Sequence, residues 1–383
     1  MSLLPGTQDL TAYSGDIKPL IEAAISALPA TGGRVMLPNG VYTCSDTIVL
    51  PQEAPIDFVG QNRDVCRIVS NFAKPIFAYD RGSGKKASNF NFRDMSMQLS
   101  GNAQTPGSSA IHSYGYNEAA SENSINVNNC AFYGFEDAID SKFTGRCHIE
   151  DSLFMVNLRS IDLLRGCSFW WFTGNLSFDR CFVRGTDTIH DAFSNALFFE
   201  GCSNVTGLGS CIDIEGWQAI WMDKCGWDLG SAGVAAVYLK SCTDVNIENS
   251  YISSDGVANR YGVYATGSVR LNILNNTIVN NMMGVQVVGT SGLATRANIQ
   301  GNFFDGNATN DVFLNANATC CKVTNNHCSK QMSRTGTNYE IYANTAGANY
   351  NIIKENTFKG SSYSIVSGAN SIIADNIFGV TAG

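Results

Sequence analysis

Between residues 192 and 238 the chain gathers Glu200, Asp213, Glu215 and Asp223 around Trp217, Trp221 and Trp227. Asp140 and Asp162 form a further pair nearer the amino terminus. Paired carboxyl groups are the machinery of glycosidic-bond cleavage: about 5 Å apart they suit acid and nucleophile, and at roughly 6.5–9.5 Å they leave room for a water. Flat rings with polar rims are what sugar rings stack on. On that ground Trp217, Trp221, Trp227, Phe198, Tyr238 and Tyr264 are the candidate substrate platform, and the six carboxylates are the candidate catalytic groups. Such chemistry needs no cofactor, and no metal site is expected.

Side chains so far apart in sequence converge only if the chain coils with a constant period. The segment Gly262 to Phe304 repeats its own pattern. Alternating runs at Val263 and Val285 are each followed by a second run closing on Asn276 and Asn302, then by Ile278 and Phe304. A short repeat with three strands and no helix predicts a parallel β-helix, each coil stacked on the last at the strand spacing of about 4.8 Å. Aligned second strands end on Cys130, Ser152, Cys181, Ser210, Ser231, Ser250, Asn276, Asn302, Asn326, Asn356 and Asn376. These residue types bond neighbouring backbone at tight bends, so a side-chain ladder is expected. First strands align inward on Ile111, Ile139, Ile161, Leu197, Ile220, Val237, Val263, Val285, Val312, Ile341 and Ile365. The outward neighbours then form one stripe: His112, Asp140, Asp162, Phe198, Trp221, Tyr238, Tyr264, Gln286, Phe313, Tyr342 and Val366. In this register Glu200 and Asp223 sit one coil apart, at about 5 Å.

The expected fold is all-β, a single-stranded right-handed parallel β-helix, right-handed because parallel crossovers take that hand. Residues 1–70 read as lead, capping helix and first strands, and 71–383 as about eleven coils. From Asp16 to Leu28 the apolar residues Ile17, Leu20, Ile21, Ala24, Ile25 and Leu28 share one helical face, with Asp16 as N-cap and Pro29 as stop. This helix is expected to cover the open end of the first coil.

Only 15% of the 383 residues are charged, against about 25% in ordinary domains. A formal net charge of −8 without a Lys/Arg cluster argues against nucleic acid and membrane surfaces as partners. Thirteen cysteines, an odd number, and an opening without a secretory pattern fit reduced thiols. Cys320, Cys321, His327 and Cys328 resemble a zinc set, but the register turns Cys321 and Cys328 inward, where other coils carry Leu271 and Ile278. They are therefore core residues. Arg81 to Lys86 lacks the Ser/Thr and the helix of a phosphate-binding loop, and no serine sits on a nucleophile elbow.

The run Gly32-Gly33-Arg34-Val35-Met36-Leu37-Pro38-Asn39-Gly40-Val41-Tyr42, after a helix and before Leu50-Pro51 and Val59-Gly60, resembles the amino-terminal signature of the pectate-lyase-like superfamily. The closest pattern is its branch of bacteriophage tailspikes. The resemblance implies a virion protein folded in the host cytoplasm, a homotrimer, and hydrolysis of a bacterial surface polysaccharide. Neither the Asp-Asp pair nor the Gly-His-Gly of polygalacturonases is present, so no family catalytic residue carries over. A lyase or epimerase on a uronate polymer would demand a Lys, Arg, His or Tyr base and Ca²⁺ near substrate carboxylates. A receptor-binding spike would instead pack its aromatics against a partner subunit.

Overall fold

The structure, a computed structural model, describes residues 6–378 apart from 11–14, 84, 86–87, 117–122, 179–180, 189–193, 204–209, 230–232, 255–259, 330–338, 344–346 and 360–364. It is an all-β, right-handed parallel β-solenoid of about twelve turns, with one α-helix among the described residues. Two compact units divide the chain: Met1–Asp187 with Asp191–Phe198, and Thr188–His190 with Phe199–Gly383.

Each unit has three strand faces. In the first, face one stacks Pro75–Asp80, Ser109–Tyr114, Asp137–Lys142, Arg159–Leu163 and Cys181–Thr186 in parallel. Face two runs from Gly33–Leu37 through Ile56–Gly60, Asn89–Arg93, Ser124–Asn128 and Gly145–Glu150 to Ser168–Thr173. Face three runs from Gly40–Cys44 through Cys66–Ser70 and Ser96–Leu99 to Leu153–Met155 and Ser177–Phe178. The strands between residues 33 and 70 are rungs of this unit. In the second unit, face one stacks Ile212–Glu215, Ala235–Lys240, Tyr261–Thr266, Met283–Val288 and Asn310–Asn315, ending on Ile341–Ala343 and Ile365–Ser367. Its face two begins with Gln218–Asp223 and Thr243–Glu248, and its face three with Gly226–Leu229 and Tyr251–Ser254.

Period two places alternate side chains inside. Ile111, Ile139, Ile161 and Val183 line face one of the first unit, and Ile212, Val237, Val263, Val285 and Val312 that of the second. The expected column held Leu197 and Ile220 in place of Val183 and Ile212. Both belong to face two, where Ile220 is in register with Val245 and Leu271. Alternation separates inside from outside but does not say which of three faces a strand occupies.

The corner between faces two and three carries the ladder. Asn276, Asn302 and Asn326 each donate Nδ2–H to the Oδ1 of the next ladder asparagine, at 3.0–3.1 Å, and their own Oδ1 accepts the backbone N–H of the rung before. Ser152 and Ser250 extend the corner by accepting the Cys130 and Cys225 N–H groups. Leu176, Cys202 and Cys225 occupy the corner where Cys181, Ser210 and Ser231 were expected: the backbone bonds Ser177 to Ser152 and Gly226 to Cys202 fix that register. Cys181 begins a face-one strand, Ser210 Oγ accepts from Ala235 N–H, and Ser231 lies outside the described residues. The residue before each ladder position is left-handed, as at Asp94 (φ 57°), Asn129 (49°), Asn275 (55°) and Gly301 (69°). Asn, Asp and Gly tolerate that conformation best.

The helix spans Lys18–Ala27, buries Ile21 and Ala24, and packs on Ile48–Val49 and Gly33–Leu37. Its N-cap is Ile17, not Asp16. Asp16 instead accepts hydrogen bonds from the Lys18 and Ser45 N–H groups and the Ser45 hydroxyl, which keeps its carboxyl below the usual range despite burial. The described cysteines are free thiols, and all but Cys320 are buried. Cys321 and Cys328 sit in the inward columns of Leu271 and Phe304, as read from the register.

Candidate functional site

Outward side chains of face one in the first unit run His112, Asp140, Asp162 and Arg184, one per rung. His112 is the centre. Its Nδ1 lies 2.9 Å from Asp140 Oδ2 and its Nε2 lies 3.3 Å from Asp80 Oδ1. Tyr114 donates its hydroxyl to Asp140 at 3.1 Å, and its ring centroid is 3.9 Å from the imidazole. Burial alone would lower the His112 pKa; the Asp140 and Asp80 carboxylates outweigh it, so the imidazolium is held above its ordinary value. Burial and the same carboxylates push the Tyr114 phenol well up.

Beneath this surface Asp162 is buried, with Arg184 donating to it at 3.1 Å and Arg159 at 3.3 Å. Burial raises its pKa, and both guanidinium groups pull the other way. Arg159 also forks onto Asp137 and reaches Glu136 at 3.2 Å. Asp137 is pushed up to about 6, chiefly by burial. Asp140 and Asp162 thus occupy adjacent rungs as expected, but only Asp140 reaches the solvent side, and Asp162 is a support.

The second unit shows a different arrangement. Glu200 and Asp223 belong to face two, not to the stripe of face one. Lys224 stands between them, 3.6 Å from Glu200 and 3.0 Å from Asp223. Asn249 and Lys224 lower the pKa of Asp223, the opposite of what an acid catalyst requires. Asp213 and Glu215 do lie on face one, but Lys240 bridges them at 2.8 and 3.8 Å. The rung register pairs Asp213 with Tyr238 and Glu215 with Lys240.

Of the six aromatic candidates, Trp217 and Trp227 are fully buried and form core, so they offer no platform. Inward positions of a solenoid accept any large apolar side chain, and tryptophan fills them as well as leucine. Trp221 is 37% exposed, but on face two, in register with Asn246. Tyr238 and Tyr264 stack on each other at 5.1 Å with planes 2° apart, and Lys240 lies over the Tyr238 ring at 4.8 Å. Phe198 likewise stacks on Trp171 at 5.3 Å. Rings one rung apart turn their faces to each other, so this aromatic column is chiefly a ladder. Asp80, Tyr114 and Arg184 are the site-lining groups that motif reading passed over. Their signal was the register itself, in which Asp80 pairs with Tyr114 and Asp162 with Arg184.

Fold and surface together define a parallel β-helix whose face-one strands carry titratable clusters. Residues 218–381 match the family described as periplasmic copper-binding protein (NosD). No curated protein matches the chain. Among solved structures, the A-module of a mannuronan C-5 epimerase from Azotobacter vinelandii aligns over 94% of this chain and 96% of its own at 17% identity, with a TM-score of 0.65. Tailspike protein 3 of bacteriophage CBA120 aligns over 96% of this chain and 60% of its own at 14% identity, TM-score 0.55. DFA-IIIase from Arthrobacter chlorophenolicus in complex with GF2 aligns over 99% of both chains at 13% identity, TM-score 0.52. Identities this low establish the fold. Among the described residues of the matched segment, His327 stacks on Phe303, Cys321 and Cys328 are buried, and no three His, Cys, Asp or Glu side chains gather.

Proposed function

We propose that the chain is a glycan-active enzyme, a hydrolase of tailspike type acting on a bacterial surface polysaccharide at face one of the first unit. The observation that carries this reading is His112 held between two carboxylates of unequal exposure, Asp140 at 19% and Asp80 at 71% of the side chain. Asp140 and Tyr114 fix the ring. The imidazolium gives its Nε2 proton to the leaving oxygen as the C–O bond breaks, and Asp80 takes a proton from the attacking water. The other carboxylate pairs each have a lysine between them, which leaves this cluster as the acid–base centre. The same reading includes a homotrimer carried on a virion, in line with the tailspike similarity.

A second reading rests on the closeness of His112 and Tyr114 beside Lys142: these are the bases and the cation that epimerisation or elimination on a uronate polymer demands. The similarity to the epimerase module supports it. Incubation with capsule and O-antigen preparations separates the two. New reducing ends abolished by His112→Ala support hydrolysis; unsaturated uronate absorbance, or solvent deuterium at C5 without cleavage, supports the second. No change in any preparation overturns the enzyme reading.

A further inference from the structure

Face two of the first unit carries a polar groove that the acid–base cluster does not use. Its outward side chains form two columns with one residue per rung, Asn91, Asn126, His148 and Trp171 in one, and Arg93, Asn128 and Glu150 in the other. Within them Asn126 donates to Asn91 Oδ1 at 2.9 Å, Asn128 donates to Glu150 Oε2 at 2.8 Å, and His148 Nε2 meets Thr173 Oγ1 at 2.7 Å. Each of the two donating amides therefore spends one N–H on its neighbour and keeps a second N–H for a ligand. The columns line a cavity of about 330 Å³. It shares Asn128 with a second cavity of about 520 Å³ at the corner to face three, where Arg63 donates to the Asp151 carbonyl at 3.1 Å.

The chemistry of the lining narrows the ligand. Arg93 is consumed by Asp57, at 3.1 Å through Nε, and against the one other arginine, Arg63, which donates to the Asp151 carbonyl, stand Glu150, Asp94 and Asp151, so the groove has no cationic surplus for an anion. Apolar side chains are few, Val127 and Leu153, so a greasy ligand gains little. Half-buried amides repeated every rung, about 4.8 Å apart, offer donor and acceptor pairs at a spacing near the length of one sugar unit. Trp171, in register with His148 and backed by Phe198 at 5.3 Å, stands beyond the amides as an apolar stop.

We propose that this groove binds a neutral oligosaccharide stretch, a holding site on a different face from the acid–base cluster. It rests on the proposed function only for the class of ligand. The test is calorimetric titration of protein carrying Asp140→Asn with cellohexaose, chitohexaose and hexamannuronate. A neutral hexamer is expected to bind saturably, and Asn128→Ala or the milder Glu150→Gln to weaken it by about tenfold or more at an unchanged melting midpoint. The proposal is overturned by unchanged affinity in both variants, by binding of hexamannuronate alone, or by no binding of either neutral probe. Polymer-cleavage assays of His112→Ala beside Asn128→Ala separate the two ideas. If His112→Ala abolishes cleavage while both groove variants bind normally, the groove fails and the enzyme stands; if groove binding is lost on mutation but no preparation is cleaved, the reverse holds.

Discussion

At the scale of single residues, His112 decides most. Its folded pKa lies above the ordinary 6.5 because Asp140 and Asp80 offset the cost of burial. A raised folded value means its contribution to stability is complete below about pH 6.5 and is lost as pH rises through the folded pKa. The His112 ring resonance, followed by NMR, is expected to titrate above pH 6.5 in the wild type and lower in Asp140→Asn. An unchanged midpoint in that variant would remove the ion pair from the account. Lys224 makes a second case, since it is left-handed (φ 53°) where neighbouring rungs use Asn or Gly. Its ion pairs with Glu200 and Asp223 are solvent-exposed and contribute little. Lys224→Asn is therefore expected to raise stability by about 0.5–1 kcal/mol in urea denaturation. A loss of stability would show that the ion pairs outweigh backbone strain.

At the scale of the element, the corner ladder is what makes one rung specify the next. Asn302 is buried, donates to the Ile273 carbonyl at 2.8 Å and to Asn326 Oδ1, and accepts from Asn276 N–H at 2.9 Å. Asn302→Leu removes all of these and leaves buried backbone groups unpaired, at a cost of about 1–3 kcal/mol each. A fall in the melting midpoint is expected although the new side chain is more apolar, and an unchanged midpoint would refute the ladder's role. This corner was legible in the sequence at Cys130 and Ser152, and again from Ser250 onward, where Asn and Ser recur every 20–30 residues. Between Ser152 and Ser250 it was not, because Leu176 and Cys202 do not announce a turn. The same loss of register moved Trp221, Phe198, Glu200 and Asp223 onto the wrong face. Period two also marks Trp217 and Trp227 only as large residues, and burial depends on which neighbours stack above and below. Of the cations that stand between the carboxylates, Lys224 comes from a turn, which column reading does not pair with its partners, whereas Lys240 and Arg159 are in register with Glu215 and Asp137.

At the scale of the whole molecule, exposed apolar side chains bear on assembly. In the second unit Tyr251 and Phe303 are exposed on face three, at 47% and 39%, and Ile372, Ile373, Ile377 and Phe378 are about half exposed. Ile373 continues the inward column of Val323 and Ile353, whose other members are buried. Tyr251 and Phe303 share one outward column with Thr277 between them, and exposed aromatic surface of this kind marks contact with another chain. Cyclic closure with three copies side by side, as proposed with the tailspike reading, would cover the face-three residues of each copy in the same way. Light scattering after size exclusion is expected to give three times the chain mass of 41.2 kDa, and Phe303→Glu with Tyr251→Glu to shift it toward one chain. A single-chain mass for the wild type at micromolar concentration would remove the trimer and the tailspike type with it. It would leave the β-helix and the His112 cluster untouched, because the contacts that build them lie within one chain.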